Sequence, residues 1–258
     1  MGGRRRWPAG TLWLVLLLAQ TVGVEAADIK VIASTGVASV VTELGRQFEA
    51  KTEHKVAADF AVIAMSKRKI DAGAAFDLAI LGPAAIDELI GQGKIVPATR
   101  TSFGRTGLGV VIAKSAPKPD IATAEAFKRT MLAAKTVGHS KEGLSGVHFL
   151  AALDRLAITA EMKPKLRTYE GDGLTRAIAS GEVEIGVTGM GPSLAMAEAQ
   201  FVGPLPPEIQ TYVVFTAGIS TAARDPEATR AFLQFLTAPA TGAVFRAKGM
   251  ERDSVFGP

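Results

Sequence analysis

Five short segments rich in small residues stand where an apolar run gives way to a helical pattern: 34–36, 61–65, 143–146, 171–173 and 189–192. Small side chains let backbone N–H groups at a helix N-terminus approach a ligand, and the helix dipole favours negative charge there. The chemistry that fits is recognition of an anion by hydroxyls and amides. One such loop alone is an ordinary tight connection. Five of them along one chain point to a ligand.

Residues of catalytic type are sparse by comparison. Gly138-His139-Ser140-Lys141-Glu142 invites comparison with the Gly-x-Ser-x-Gly nucleophile elbow but carries Glu142 where the second glycine belongs. His139 and His148 lie nine positions apart with no acidic pair at ligating spacing, which argues against a metal site. No spacing by itself pairs two carboxylates for general acid–base work. His54, inside the polar stretch 51–55, reads as a surface residue, and Lys67, Arg68 and Lys69 read as a solvated helix face. A rival reading as an enzyme uses His139, Ser140 and His148, and needs a base within hydrogen-bond reach of a partner.

The elements that must position these loops alternate between strand and helix. Residues 29–33 form a short apolar strand, and Val37, Val40, Val41, Leu44 and Phe48 follow at helical spacing. A strand over 55–61 leads through a loop to a helix over 66–72. Residues 77–81 form a continuous apolar strand of the kind buried on both faces of a parallel sheet, and Pro83 opens the next helix. Residues 104–113 and 212–218 read as strands crossing between two lobes. Between them lie a strand near 136–138, helices over 147–156 and 193–199, and a strand over 181–188. Asp225-Pro226 then caps a closing helix with Phe232, Phe235 and Leu236 on one face. The alternation makes an α/β chain.

Part of this pattern occurs twice. Residues 70–83, IDAGAAFDLAILGP, are echoed by residues 178–192, IASGEVEIGVTGMGP. Each copy is a helix stopped by glycine, an acidic step, a buried strand and a Gly/Pro loop. Two similar lobes with a cleft between them follow, and loops leaving strand ends are where such folds bind ligands.

The ends and the composition narrow the class further. Arg4, Arg5 and Arg6, the apolar run 12–19 and Val24-Glu25-Ala26 have the three parts of a cleavable secretory signal over residues 1–26. Without that segment 26 basic and 24 acidic residues remain, a balance that does not suggest a nucleic-acid binder. The chain has no cysteine, so neither a disulfide framework nor a lipid-modified cysteine is available. Trp7 and Trp13 leave with the signal, and the scarcity of aromatic faces weighs against a carbohydrate ligand.

Residues 29–48, 70–81, 178–188 and 228–249 together resemble the molybdate-binding-protein-like branch of periplasmic solute-binding proteins, in the same order and over nearly the whole mature chain. The resemblance implies a two-lobed type II periplasmic binding fold, α/β, each lobe a mixed sheet flanked by helices and joined by a two-segment hinge. It sets lobe 1 at 27–109 and 215–258 and lobe 2 at 110–214. It also implies a monomeric protein of the periplasm that delivers its ligand to an ABC permease in the inner membrane, with no cofactor and no catalysis. The resemblance aligns Gly36 and Ile63 with the family's two oxyanion-binding serines, Ser145 and Gly171 with its amide positions and Gly189 with its late tyrosine. Three of those positions therefore depart from the family's pattern, and an organic acid becomes the expected ligand in place of molybdate. The expected binding residues are Ser34, Thr35, Gly36, Ala64, Met65 and Ser66 on one side, with Ser145, Gly146, Gly171, Asp172, Gly189 and Met190 on the other. A sensory adaptor that binds the same small anion but docks on a receptor is the remaining alternative.

Overall fold

The computed structural model describes residues 26–141 and 143–252; residues 1–25, most of the expected signal, lie outside the described residues. In chain order the first lobe is built from β1 (Asp28–Ser34), α1 (Ala38–Glu49), β2 (Lys55–Ala61), α2 (Ile63–Asp71), β3 (Leu78–Leu81), α3 (Pro83–Gly91) and β4 (Thr101–Thr106). The second follows with β5 (Leu108–Ala113), α4 (Ala124–Ala133), β6 (Val137–Ser140), α5 (Leu144–Arg155), α6 (Thr159–Met162), β7 (Leu166–Tyr169), α7 (Gly173–Ala179), β8 (Ile185–Gly189), α8 (Met190–Ala195) and β9 (Ala199–Pro204). The chain then returns to the first lobe through β10 (Val213–Ile219), α9 (Pro226–Thr237) and α10 (Gly242–Ala247).

Each lobe holds one mixed five-stranded sheet, in the orders β2-β1-β3-β10-β4 and β7-β6-β8-β5-β9. Three strands of each sheet run parallel, and a strand arriving from the other lobe's side of the chain lies antiparallel beside the central one. The strands of the sequence echo, β3 and β8, are the two central strands. Their glycine stops, Gly73 at φ 93° and Gly181 at φ 76°, adopt the left-handed conformation that ends a helix. The acidic step has a shared purpose: Asp77 accepts the Lys30 N–H at 2.7 Å and Glu184 accepts the Lys135 N–H at 2.8 Å, tying each central strand to its parallel neighbour. Apolar side chains of α1 (Val40, Val41, Leu44, Phe48) and α9 (Phe232, Leu236) cover one face of the first sheet, while Ile70, Ile86 and Leu89 of α2 and α3 cover the other.

Several boundaries differ from the sequence reading: the helix expected over 193–199 runs over Met190–Ala195 as α8, and the strand expected over 181–188 begins at Ile185. Residues 104–113 are two strands, β4 and β5, parted at Gly107, where the chain passes from one sheet to the other. A Cβ on Gly107 would stand 2.9 Å from the Gln210 side chain, which clamps the crossing by accepting the Leu108 N–H at 2.8 Å and donating to the Leu108 carbonyl at 3.0 Å. Helix α2 starts at Ile63, because Ile63 and Ile70 lie two turns apart on the face that packs against the sheet. Helix α5 likewise starts at Leu144. His54 is buried at 6% exposure: it stacks on Phe48 and its Nδ1 accepts the Ala27 N–H at 3.1 Å.

Candidate functional site

A cleft of about 740 Å³ opens between the lobes, walled by the loops that leave β1, β2, β3, β6 and β8 and floored by Thr106, Val213 and Phe215 of the crossing strands. These are strand ends, where the sheets stop and helices begin, so the wall consists of first helical turns. The longer helices divide by where those turns point. Helices α2, α3 and α5 start on the cleft with Val62, Gly82 and Gly143 at the N-cap, and no side chain caps any of them. Helices α4 and α9 start away from it, and there Thr123 accepts the Ala126 N–H and Asp225 accepts the Ala228 N–H. A first turn without a cap has N–H groups still seeking an acceptor. The helices that start on the cleft thus leave first-turn donors open to a ligand; α1, which starts off the wall after Val37, is likewise without a side-chain cap.

Hydroxyls complete the polar part of the wall: Ser34, Thr35, Thr106, Ser140, Ser145, Thr175 and Thr188. Some are already engaged. Ser34 Oγ accepts the Gly36 N–H at 3.2 Å, and Ser140 Oγ accepts the Gly143 N–H at 3.1 Å, so each hydroxyl retains its own proton for a ligand. Among the described residues the wall contains no Lys, Arg, His or Asp, and Glu88 is its only carboxylate. Lys67, the cation paired with Glu88 of the wall, is held by Asp71 at 2.7 Å and Glu88 at 3.0 Å, and these hydrogen bonds raise its pKa. Tyr169 also lines the cleft; burial, then its hydrogen bond to Glu182 at 2.7 Å, pushes its pKa up to about 12, so it stays protonated.

Of the residues expected to bind, Ser34, Thr35, Gly36, Ala64, Ser145, Gly171 and Gly189 line this cleft. The others lie off its wall for identifiable reasons. The early start of α2 carries Ser66 into the second turn, where it is fully buried and its hydroxyl donates to the carbonyls of Ala33 and Ala61, each at 3.3 Å. Met65 points out, at 39% exposure. Gly146 packs against β6, where a Cβ would stand 2.1 Å from the Ser140 carbonyl. Asp172 turns to solvent and pairs with Arg176. The Met190 N–H is taken by the Gly107 carbonyl at 2.9 Å.

The elements of the enzyme reading do not assemble. His139 is buried, with Nδ1 3.0 Å from the carbonyl of Ser140 rather than its hydroxyl; burial lowers its pKa against that hydrogen bond. His148 sits one turn further along α5 and off the cleft wall, its pKa lowered by burial and then by Arg155. Among the described residues, no group of three or more His, Asp or Glu side chains is arranged to hold a metal ion.

Comparison with known proteins agrees with this geometry. The family of bacterial extracellular solute-binding proteins matches residues 29–251. The chain belongs to that family. Its relatives include the aconitate isomerase of a Pseudomonas species, 26% identical over 176 residues, 68% of this chain and 67% of that protein. The molybdate-binding protein ModA of Azotobacter vinelandii is 23% identical over 233 residues, 87% of this chain and 90% of that protein. The solved structure of the A. vinelandii periplasmic molybdate-binding protein matches with a TM-score of 0.70 at 19% identity, covering 89% of this chain and 100% of that one. PEB3 of Campylobacter jejuni, solved with L-phospholactate bound, matches with a TM-score of 0.68 at 12% identity, over 87% and 100% of the two chains. The two-lobed type II periplasmic binding fold is common to them.

For a solute-binding protein the residues that the sequence reading passed over matter as much as those it named. Gly82 and Pro83 were within reach, since the echo aligns them with the Gly189–Pro192 loop that was named. Thr106 and Phe215 were not, because they enter the floor only through the antiparallel pairing of β10 with β3 and β4.

Proposed function

We propose that this solute-binding protein captures a small organic anion in the cleft and passes it unchanged to an ABC importer. It would act as a monomer in the periplasm after loss of residues 1–26. The observation that carries the reading is that α2, α3 and α5, from both lobes, all start on one cleft without a side-chain cap. Neutral donors and oriented dipoles hold an anion without a fixed counter-charge, and they release it when the lobes part. The moving bodies would be residues 27–106 with 213–252, and residues 108–204. Closure brings donors of both bodies onto one ligand, so the ligand favours the closed state.

An organic anion is preferred to a tetrahedral oxyanion because of the cleft's size and its substituted positions. Gly36, Ile63 and Gly189 bring no hydroxyl, and a cleft of about 740 Å³ suits a ligand of many atoms. The relatives' names span both possibilities, one binding molybdate and one solved with L-phospholactate. The relative named aconitate isomerase supports a second reading, in which a bound acid is isomerised by proton transfer. Glu88 and Tyr169 are the titratable groups on the wall; the first is paired with Lys67 and the second holds its proton.

Calorimetric titration of the protein, residues 27–258, against molybdate, sulfate and a panel of carboxylates tests the reading. Saturable binding of a carboxylate supports it, and binding of molybdate alone overturns the organic ligand. Recovery of the bound acid from deuterated water separates capture from isomerisation: the acid should return unchanged and free of deuterium.

A further inference from the structure

The wall of the cleft is divided in chemistry as well as in space. Its donors come from the first turns of α2, α3 and α5 and from hydroxyls, whereas Val62, Ile63, Leu144 and Met196 supply an apolar surface, backed by the buried Leu174 and Phe215. Leu144, the first residue of α5, is 42% exposed within this wall, so its side chain is open to whatever enters the cleft. Beneath, the ring of Phe215 is 1% exposed and so close to Gly36 that no side chain fits between them. Charge is sparse: among the described residues Glu88 is the one carboxylate on the wall, and no cation lines it.

A ligand with two or three carboxylates would bring repeated negative charge against a wall on which no described cation answers it, the adjacent Lys67 being already paired with Asp71 and Glu88. A ligand with one carboxylate needs a single cluster of donors, and its carbon body gains by covering the apolar surface. Resting on the proposed capture of an organic anion, we infer that the solute is a monocarboxylate with an apolar body, its carboxylate at the uncapped helix starts and its carbon skeleton against Leu144, Ile63 and Phe215.

The test is isothermal titration of the protein with butanoate, hexanoate, octanoate and 4-methylpentanoate, beside succinate, citrate, molybdate and sulfate. Affinity is expected to rise along the monocarboxylates by about fourfold for each added CH₂ group that is buried. Leu144→Ser changes an exposed position; it should weaken octanoate by about tenfold and butanoate by less, with the melting temperature of the unliganded protein little changed. Phe215→Leu, which keeps most of the buried volume, should weaken the longer acids in the same way. Tighter binding of succinate or citrate than of any monocarboxylate would overturn this inference while leaving the capture of organic anions standing. Binding of molybdate or sulfate alone would overturn both, and so would the failure of every anion to bind.

Discussion

Gly36 and Phe215 meet at the floor of the cleft: a Cβ on Gly36 would stand 2.5 Å from Cζ of the phenylalanine ring. The glycine is therefore a steric requirement of the aromatic floor. A serine cannot be placed at position 36 while the ring stays, and the ring is held in the core with Val37 and Val213.

Gly36→Ser should accordingly destabilise the protein, by about 1–3 kcal/mol for forced overpacking, rather than build an oxyanion site. Urea denaturation measures the loss. A serine variant with undiminished stability and new molybdate affinity would show that the ring gives way.

Capping the cleft helices internally should exchange binding for stability. Val62 is already in the extended conformation of an N-cap, at φ −60° and ψ 149°. Val62→Asp supplies a carboxylate acceptor to the first turn of α2, worth about 1 kcal/mol, or about 2–4 °C in melting temperature for a chain of this size. The same carboxylate occupies the donors a ligand needs. The variant should melt higher when empty and lose the rise in melting temperature that ligand gives the parent; if that rise persists, the start of α2 is not part of the site.

Much of the architecture was legible because it repeats. The echo identified both central strands, their glycine stops and their acidic steps from local spacing alone. Other features depend on contacts distant in sequence. His54 lies in a polar stretch, yet the parallel pairing of β2 with β1 folds it onto Phe48 and Ala27. The starts of α2 and α5 were read late, since Ile63 and Leu144 declare themselves helical only through the sheet and cleft they face. That shift of one turn separates Ser66, a buried structural hydroxyl, from Ala64 on the wall.

The acidic steps should differ in weight although they do the same job. The Asp77 carboxylate is buried and accepts the N–H groups of Lys30 and Arg224 at 2.7 and 2.8 Å. Glu184 is exposed and accepts one, from Lys135. Asp77→Ala leaves two donors without their acceptor and should cost about 1–3 kcal/mol or more. Glu184→Ala, with water at hand, should cost less than about 1 kcal/mol. Equal losses in denaturant titrations would mean that burial does not set the difference.

Tyr169 predicts a pH dependence at the alkaline end. Its pKa in the fold is about 12, raised first by burial and then by Glu182, above the ordinary value of 10. Between those pH values the folded state keeps a proton that the unfolded state releases, so stability falls as pH rises from about 10 to about 12. Lysines titrate in the same range, and Tyr169→Phe isolates the contribution. Relative to the parent, the variant should lose stability less steeply over that window; identical slopes would remove Tyr169 as the cause.

The lobes meet at Gly191, and that contact should govern closure. A Cβ on Gly191 of α8 would stand 3.3 Å from the Lys248 carbonyl and 3.4 Å from the Gly36 carbonyl, both belonging to the first lobe. Alanine would fit tightly, but the branches of valine would meet two backbone segments that have nowhere to retreat. Gly191→Val should therefore wedge the lobes apart without entering either core. In the proposed capture the ligand takes donors from both lobes, so the energy of forcing them together would be subtracted from binding, and a penalty of about 1.4 kcal/mol already lowers affinity tenfold. Small-angle scattering should show a larger radius of gyration for the variant with ligand than for the parent with ligand. Each lobe should remain folded by circular dichroism. An unchanged affinity would mean that the contact opens before the ligand is held, and that the pivot lies instead at Gly107 and the Gln210 clamp.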